Sequence, residues 1–354
     1  MASAGARGGL GGLAAQYGVR PCDDSPFAAV PVDEAIDLDD LPPGRLANLA
    51  YEADPEAWRP IDCAGQPTAR PRRFIDGTVF ARTAATFVVD GALRPAVLAA
   101  VDAAAMELEA GTIRRVPESL RLQTVLCLLG NGIPSDHLTE LAGGLGAVGI
   151  ALLAPTDDQD VPAEFEVLRR RAWDLAKGRM EAVEREVLQL GSEVPSVVDG
   201  LLERRLVTRR SQRLPAYGVV KRHLRTLLPT LLSQRLFNLA PGQRSPAFLI
   251  ETEKAVLVSW YLRLADPGLG TPTAGIVRVA ATRAWLELGF PDPIARSAEI
   301  SAVSAWLCQL RCRDASYARS AVSLEPIVRL EDQLHAVVPP IAQQLARLHR
   351  AFAA

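Results

Sequence analysis

The sequence predicts an α/β fold, with one continuous unit from about residue 70 to the end. Three features carry this reading. Two short apolar runs end in Asp-Gly, at Ile75-Asp76-Gly77 and Val198-Asp199-Gly200. A long amphipathic stretch lies between them. Two later runs, residues 256–264 and 275–280, alternate in the manner of paired antiparallel strands.

The elements follow in order. Residues 1–20 are rich in Gly, Ala and Ser and read as a flexible start. Residues 21–60 carry ten acids against two arginines, which marks a solvated segment or a docking arm for a basic partner. Residues 72–76 form the first strand, closed by a turn at Gly77-Thr78. Residues 86–89 form a second, closed at Asp90-Gly91. Residues 95–109 read as a helix with Pro95 in its first turn. Residues 123–129 and 147–154 are apolar runs whose period leaves helix and strand both open. Residues 162–190 form a long helix: Trp173, Ala176, Met180, Val183, Val187 and Leu190 make one stripe, with Pro162 and Gly191 as punctuation. Residues 196–199 and 217–221 are short buried strands, the latter followed by a basic helix. From Arg204 to Arg244 there are ten cations and no acid. Residues 247–251 add a further strand, and 297–313 and 324–351 are closing helices, the second broken at Pro339-Pro340.

Composition excludes several classes. The chain has 354 residues, 49% apolar and 23% charged, with a mean hydropathy of +0.10, so it can bury a core and is neither disordered nor a coiled coil. A net charge of −2 gives no global basic field. Five scattered cysteines without C-x-x-C argue against a zinc ribbon or a disulfide framework. No signal peptide and no membrane-length apolar run is present, which reads as a cytoplasmic protein. There is no P-loop, no G-x-S-x-G elbow and no metal spacing among the four histidines.

The chemistry concentrates at the two Asp-Gly strand ends. A carboxylate there sits at the rim of a sheet, where open α/β folds bind ligands. Two side by side repel, and a divalent cation resolves the repulsion; Mg²⁺ and Mn²⁺ prefer such oxygen ligands. Taken singly, each Asp-Gly is more often just a turn. Glu184, flanking the apolar stripe of the long helix, is a third acid candidate, to be distinguished from Glu181 and Glu186. Lys221, one of only three lysines, ends a strand and is placed to hold a phosphate or to be an ordinary rim lysine.

The order of these motifs resembles the NurA nucleases. The matching segments are FIDGT (residues 74–78), VVDGLLERR (197–205), YGVVKRHLRTLLP (217–229), RSPAFLI (244–250), WYLRL (260–264), GIVRVA (275–280) and YARSAVSLEPIVRLEDQL (317–334). The resemblance covers about residues 70–335. It implies an RNase H-like mixed sheet flanked by helices, over residues 61–354, behind an N-terminal extension at 1–60. It implies Asp76 and Asp199 as strand-end metal ligands, Glu184 as the helical acid with Glu181 as its alternate, and Lys221 and Arg278 as basic substrate-binding positions. Tyr317 and Glu325 fall at the spacing of the family's last motif, making Glu325 the fourth ligand, with Asp314 and His335 as alternatives. Ala318, Ala321 and Leu324 stand where the family has Pro, Leu and Ala.

The activity implied is metal-dependent hydrolysis of DNA phosphodiesters, with two Mn²⁺ or Mg²⁺ ions activating water and stabilising the leaving oxygen. The partners implied are DNA, a HerA-like hexameric ATPase and a second copy of the chain, in DNA end processing or phage defence. The alternatives are a catalytically inactive scaffold of the same fold and a small-molecule α/β enzyme. An apolar stripe in residues 336–354 either forms the dimer contact or packs back on its own domain.

Overall fold

The computed structural model of the protein describes residues 9–22, 44–156, 164–208, 211–221, 227–266, 271–314, 316–317 and 319–354. In chain order its strands are β1 (Arg20–Pro21), β2 (Gly44–Asn48), β3 (Ile61–Asp62), β4 (Arg73–Val89), β5 (Ala92–Glu109), β6 (Thr112–Arg115), β7 (Arg121–Cys127), β8 (Ala151–Leu153), β9 (Ser196–Asp199), β10 (Ala216–Val220), β11 (Gln243–Arg244), β12 (Phe248–Thr252), β13 (Val256–Arg263) and β14 (Ile276–Thr282). The helices are α1 (Leu10–Gln16), α2 (Ser135–Ala147), α3 (Phe165–Leu190), α4 (Thr230–Leu236), α5 (Arg283–Gly289), α6 (Pro293–Gln309), α7 (Glu325–Val337) and α8 (Ile341–Ala353).

All the strands join one mixed sheet in the order β2-β12-β13-β14-β10-β9-β4-β5-β7-β8, with β1 on β4, β6 on β5 and β3 on β11 beside β13. At its centre β9 lies parallel to both β4 and β10. These three strands therefore run in one direction, and β9 and β10 end at the level of Asp76 in the longer β4. Outside them β10–β14, β13–β14 and β4–β5 are antiparallel.

Side-chain alternation sorts the core into two layers. On one face Ile75, Val198 and Ala216 meet Ala172, Ala176, Val183 and Val187 of α3. On the other, Phe74, Val197, Tyr217 and Val219 meet Ile300, Val303 and Leu307 of α6 and Ile327 of α7. Ala104 and Met106 of β5 meet Leu330 and Leu334 of α7 on this second face. The same parity places Asp76, Asp199 and Lys221 on the α7 face and Gly77 on the α3 face.

Residues 95–109, read from sequence as a helix, lie within β5. Alanine favours helix. Here, however, β5 is paired on both sides, with β4 and β7, and residues 95–106 are all buried. A strand covered on both faces shows no alternation, so its period does not distinguish it from a buried helix. Pro95, opposite Thr86, lies beside the register shift between Thr83 and Ala85, where the missing N–H is tolerated.

The turn expected at Gly77-Thr78 is also corrected: β4 runs unbroken for 17 residues. Gly77 serves close packing instead. A Cβ there would stand 2.7 Å from the Asp102 carbonyl oxygen and 3.0 Å from Glu184 Cγ. The other Asp-Gly pairs are true turns, with Asp90 at φ 52°, Gly91 at φ 77° and Gly200 at φ 93°.

The described part of the N-terminal extension is integral to the fold. α1 buries Leu13 and Ala14 in a cluster with Leu345, Leu348 and Phe352 of α8. β2 pairs with β12. Glu52 accepts from buried Arg244 at 2.6 and 2.7 Å, so it is no free member of an acidic arm. The arm's residues 23–43 lie outside the described residues, as do positions 209–210 and 222–226 of the basic stretch. The stripe of α8 packs back on its own chain, which removes it as support for a dimer.

Candidate metal centre

β9 ends at Asp199 and β10 at Val220, while β4 continues past them. The last β4–β9 pair is Ile75 with Val198, so Asp76 and Asp199 follow as the next same-face neighbours. α7 packs on this face of the sheet against β4 and β5 and brings Glu331 to the same place. One carboxylate oxygen each of Asp76, Asp199 and Glu331 lies within 4.8 Å of the others. These are hard oxygen donors at a spacing one cation can bridge, so the residues present fit a divalent ion such as Mg²⁺ or Mn²⁺.

The electrostatics point the same way. Asp76 is 6% exposed. Burial, and then the charge of Asp199, hold its carboxyl well above the usual range against the pull of Lys221. Lys221 Nζ stands 2.7 Å from Asp199 Oδ2 and 3.6 Å from Glu331 Oε1. Burial opposes its charge, yet Asp199, Asp76 and Glu331 keep its pKa raised. The Tyr317 hydroxyl donates to Glu331 Oε2 at 2.5 Å and fixes that carboxylate. Burial and Glu331 in turn raise the phenol's pKa. Arg319 lies at the rim, 3.6 Å from Glu331 Oε1.

The remaining candidates from the sequence fall elsewhere. Glu184 reaches the edge from α3, on the opposite face of the sheet, and is 1% exposed. Its Oε2 accepts a short bond from Arg205, whose guanidinium also donates to the carbonyls of Leu201 at 2.8 Å and Asp199 at 3.3 Å. Burial pushes the Glu184 carboxyl up to about 7 although Arg205 opposes it. Glu181 is paired with Arg204 at 2.7 Å. Arg278 is buried on the face away from the acids, with Ser259 Oγ at 3.4 Å, because alternation along β14 sends it opposite to Val277 and Val279.

Glu325 starts α7 and pairs with Arg329 at 2.8 Å, outside the carboxylate cluster. Six residues of helix turn the side-chain direction by about 240°, so Glu325 and Glu331 cannot share one face. Asp314 is exposed and accepts from Ser316, and exposed His335 packs edge-on to Phe80 at 5.3 Å. Glu331 went unnoticed in the sequence. Its signal is an acid set into the apolar stripe Ile327, Leu330, Leu334.

A further buried acid lies two residues along the strand pair. Asp102, fully buried, accepts from the Thr78 N–H at 3.2 Å and hydroxyl at 2.7 Å. Burial raises its pKa from 3.8 to about 6 despite those bonds. The folded state thus holds this proton more tightly than the unfolded chain, and stability falls as pH rises from about 4 to 6. Asp102→Asn keeps an acceptor for the Thr78 N–H and removes the ionisation. It is expected to raise stability at pH 8 by roughly 1–3 kcal/mol and to leave it nearly unchanged at pH 4. Urea unfolding at the two pH values checks this; an equal shift at both would assign the effect to packing.

The fold and cluster together define an α/β protein with a buried carboxylate centre able to hold a metal ion. No family model and no curated protein matches the chain. Among solved structures it is similar to the crystal structure of the NurA nuclease from Sulfolobus solfataricus, at 11% identity over 79% of this chain and 82% of that chain, with a TM-score of 0.40. No helix among the described residues is long and apolar enough to cross a membrane.

Proposed function

We propose that the protein is a metal-dependent nuclease that hydrolyses DNA phosphodiester bonds, with an RNase H-like arrangement of its central strands. The observation that carries the reading is the convergence of Asp76, Asp199 and Glu331 at one strand edge. The order of motifs read in the sequence supplies the reaction class. When bound, a divalent ion lowers the pKa of water and stabilises charge on the scissile phosphate. Asp76, Asp199 and Glu331 would hold it. Tyr317 orients Glu331, and Lys221 holds Asp199 in place. DNA as substrate, a HerA-like ATPase and a second copy of the chain as partners, and a role in DNA end processing or phage defence all rest on the motif resemblance.

One observation favours a second reading, an inactive DNA-guiding scaffold. The Lys221 ammonium already lies among the carboxylates and offsets their charge without a metal. Titration with Mn²⁺ and Mg²⁺ separates the two. The nuclease reading expects a rise in thermal midpoint with added ion and ion-dependent cleavage of plasmid and of labelled single-stranded DNA. DNA binding without either effect would establish the scaffold. Neither binding nor cleavage would end both readings.

A further inference from the structure

Three cations were expected or found near the centre, and their surroundings differ. Lys221 is buried and committed to Asp199. Arg278 is buried beneath the opposite face. Arg319 alone of these three reaches solvent: its side chain is 46% exposed, with a guanidinium nitrogen 3.6 Å from Glu331 Oε1. It also lies over the Tyr317 ring at 5.9 Å, so its planar head is held beside the hydroxyl that fixes Glu331.

We propose that Arg319 is the phosphate-binding residue of this site, taking the non-bridging oxygens of a nucleic-acid phosphate presented to Asp76, Asp199 and Glu331. The proposal rests on the nuclease reading and names a substrate contact within it. The physical argument is an exchange of partners. Without a cation, Arg319 is one of the positive groups that offset the carboxylates. A half-exposed ion pair at 3.6 Å is weak, because water screens it and two long side chains must be held in place. A divalent ion, which Asp76, Asp199 and Glu331 would hold, would offset Glu331 instead. The guanidinium is then free to bind phosphate through two parallel N–H donors, a geometry that an ammonium does not offer. Lys221, at 2.7 Å and buried, has no comparable freedom.

The test compares wild type, Arg319→Ala and Arg319→Lys, using fluorescence anisotropy of a labelled oligothymidylate in Ca²⁺ and cleavage of the same strand in Mn²⁺. Arg319→Ala should weaken binding about tenfold and reduce the slope of log affinity against log salt by about one. Its Mn²⁺-induced thermal shift should be at least that of wild type, since a competing positive group is gone. Arg319→Lys should keep the salt slope and recover only part of the affinity. A variant that merely loosened the 319–323 segment would lower the melting midpoint without changing the slope. If wild type cleaves and Arg319→Ala binds with unchanged affinity and slope, the proposal is overturned while the nuclease reading stands. If wild type neither binds nor cleaves, both are overturned.

Discussion

Asp76→Asn is expected to abolish metal-dependent cleavage while leaving the metal-free protein at least as stable as wild type. The two halves of this outcome have one cause. Asp76 is 6% exposed, and burial together with Asp199 holds its carboxyl well above the usual range. At neutral pH the metal-free fold therefore bears the cost of either a buried charge or a retained proton, and an amide of the same shape removes that cost. The amide is also a poor ligand for a hard cation, so the ion-induced rise in midpoint should disappear and turnover should fall by a factor of at least about 10². Asp199→Asn should lose turnover equally but also lose stability, because Lys221 would lose its partner at 2.7 Å and keep only Asp76 nearby and Glu331 at 3.6 Å. Thermal unfolding with and without Mn²⁺, beside a cleavage assay, reads both. An Asp76→Asn protein that still cleaves would remove Asp76 from the centre. The same geometry makes ion binding pH-dependent: the Asp76 carboxyl, raised by burial and Asp199, must be ionised to bind an ion, so affinity should rise with pH.

The largest stability effect is expected at Arg205. This residue is 5% exposed and ties Glu184 of α3 to the carbonyls of Leu201 and Asp199. Arg205→Leu leaves the Glu184 carboxyl buried without its partner and should cost about 3–5 kcal/mol. The double variant Glu184→Gln with Arg205→Met should recover much of that loss, because neither half of the ion pair is then stranded. Glu184→Gln alone separates a structural role from a ligand role. Paired with Arg205 on the α3 face, Glu184 should be dispensable for ion binding, so the Mn²⁺-induced shift should persist. Loss of that shift with the fold intact would restore Glu184 as a ligand.

Much of the centre was legible in the chain. The run Ser196–Asp199 with Gly200 behind it, and the stripe of α3 ending at Gly191, are local patterns, and the structure follows them. The antiparallel pairing of β13 with β14 followed from alternation. Glu331 was obscured because spacing within a motif does not say which side of α7 a residue occupies. Arg278 and Glu184 were grouped with the acids by the motif resemblance, although the sheet separates both from the face that carries Asp76 and Asp199. β5 was misread because its alanines are shaped by α3 and α7 packing on its two faces, and close packing favours small side chains whatever the backbone conformation.

By itself the sequence determined the α/β class, the long helix, and the two strands that carry Asp76 and Asp199, because turn chemistry and periodicity act over a few residues. Only the tertiary structure decided which acids meet. The carboxylate of Glu331 arrives from a helix more than 130 positions beyond Asp199, and no local pattern encodes that distance. It was also the tertiary structure that turned Gly77 from a turn residue into a contact between β4 and α3. The physical reason is the same in both cases. A two-residue strand repeat chooses a face, but what covers that face is chosen by the packing of the whole sheet.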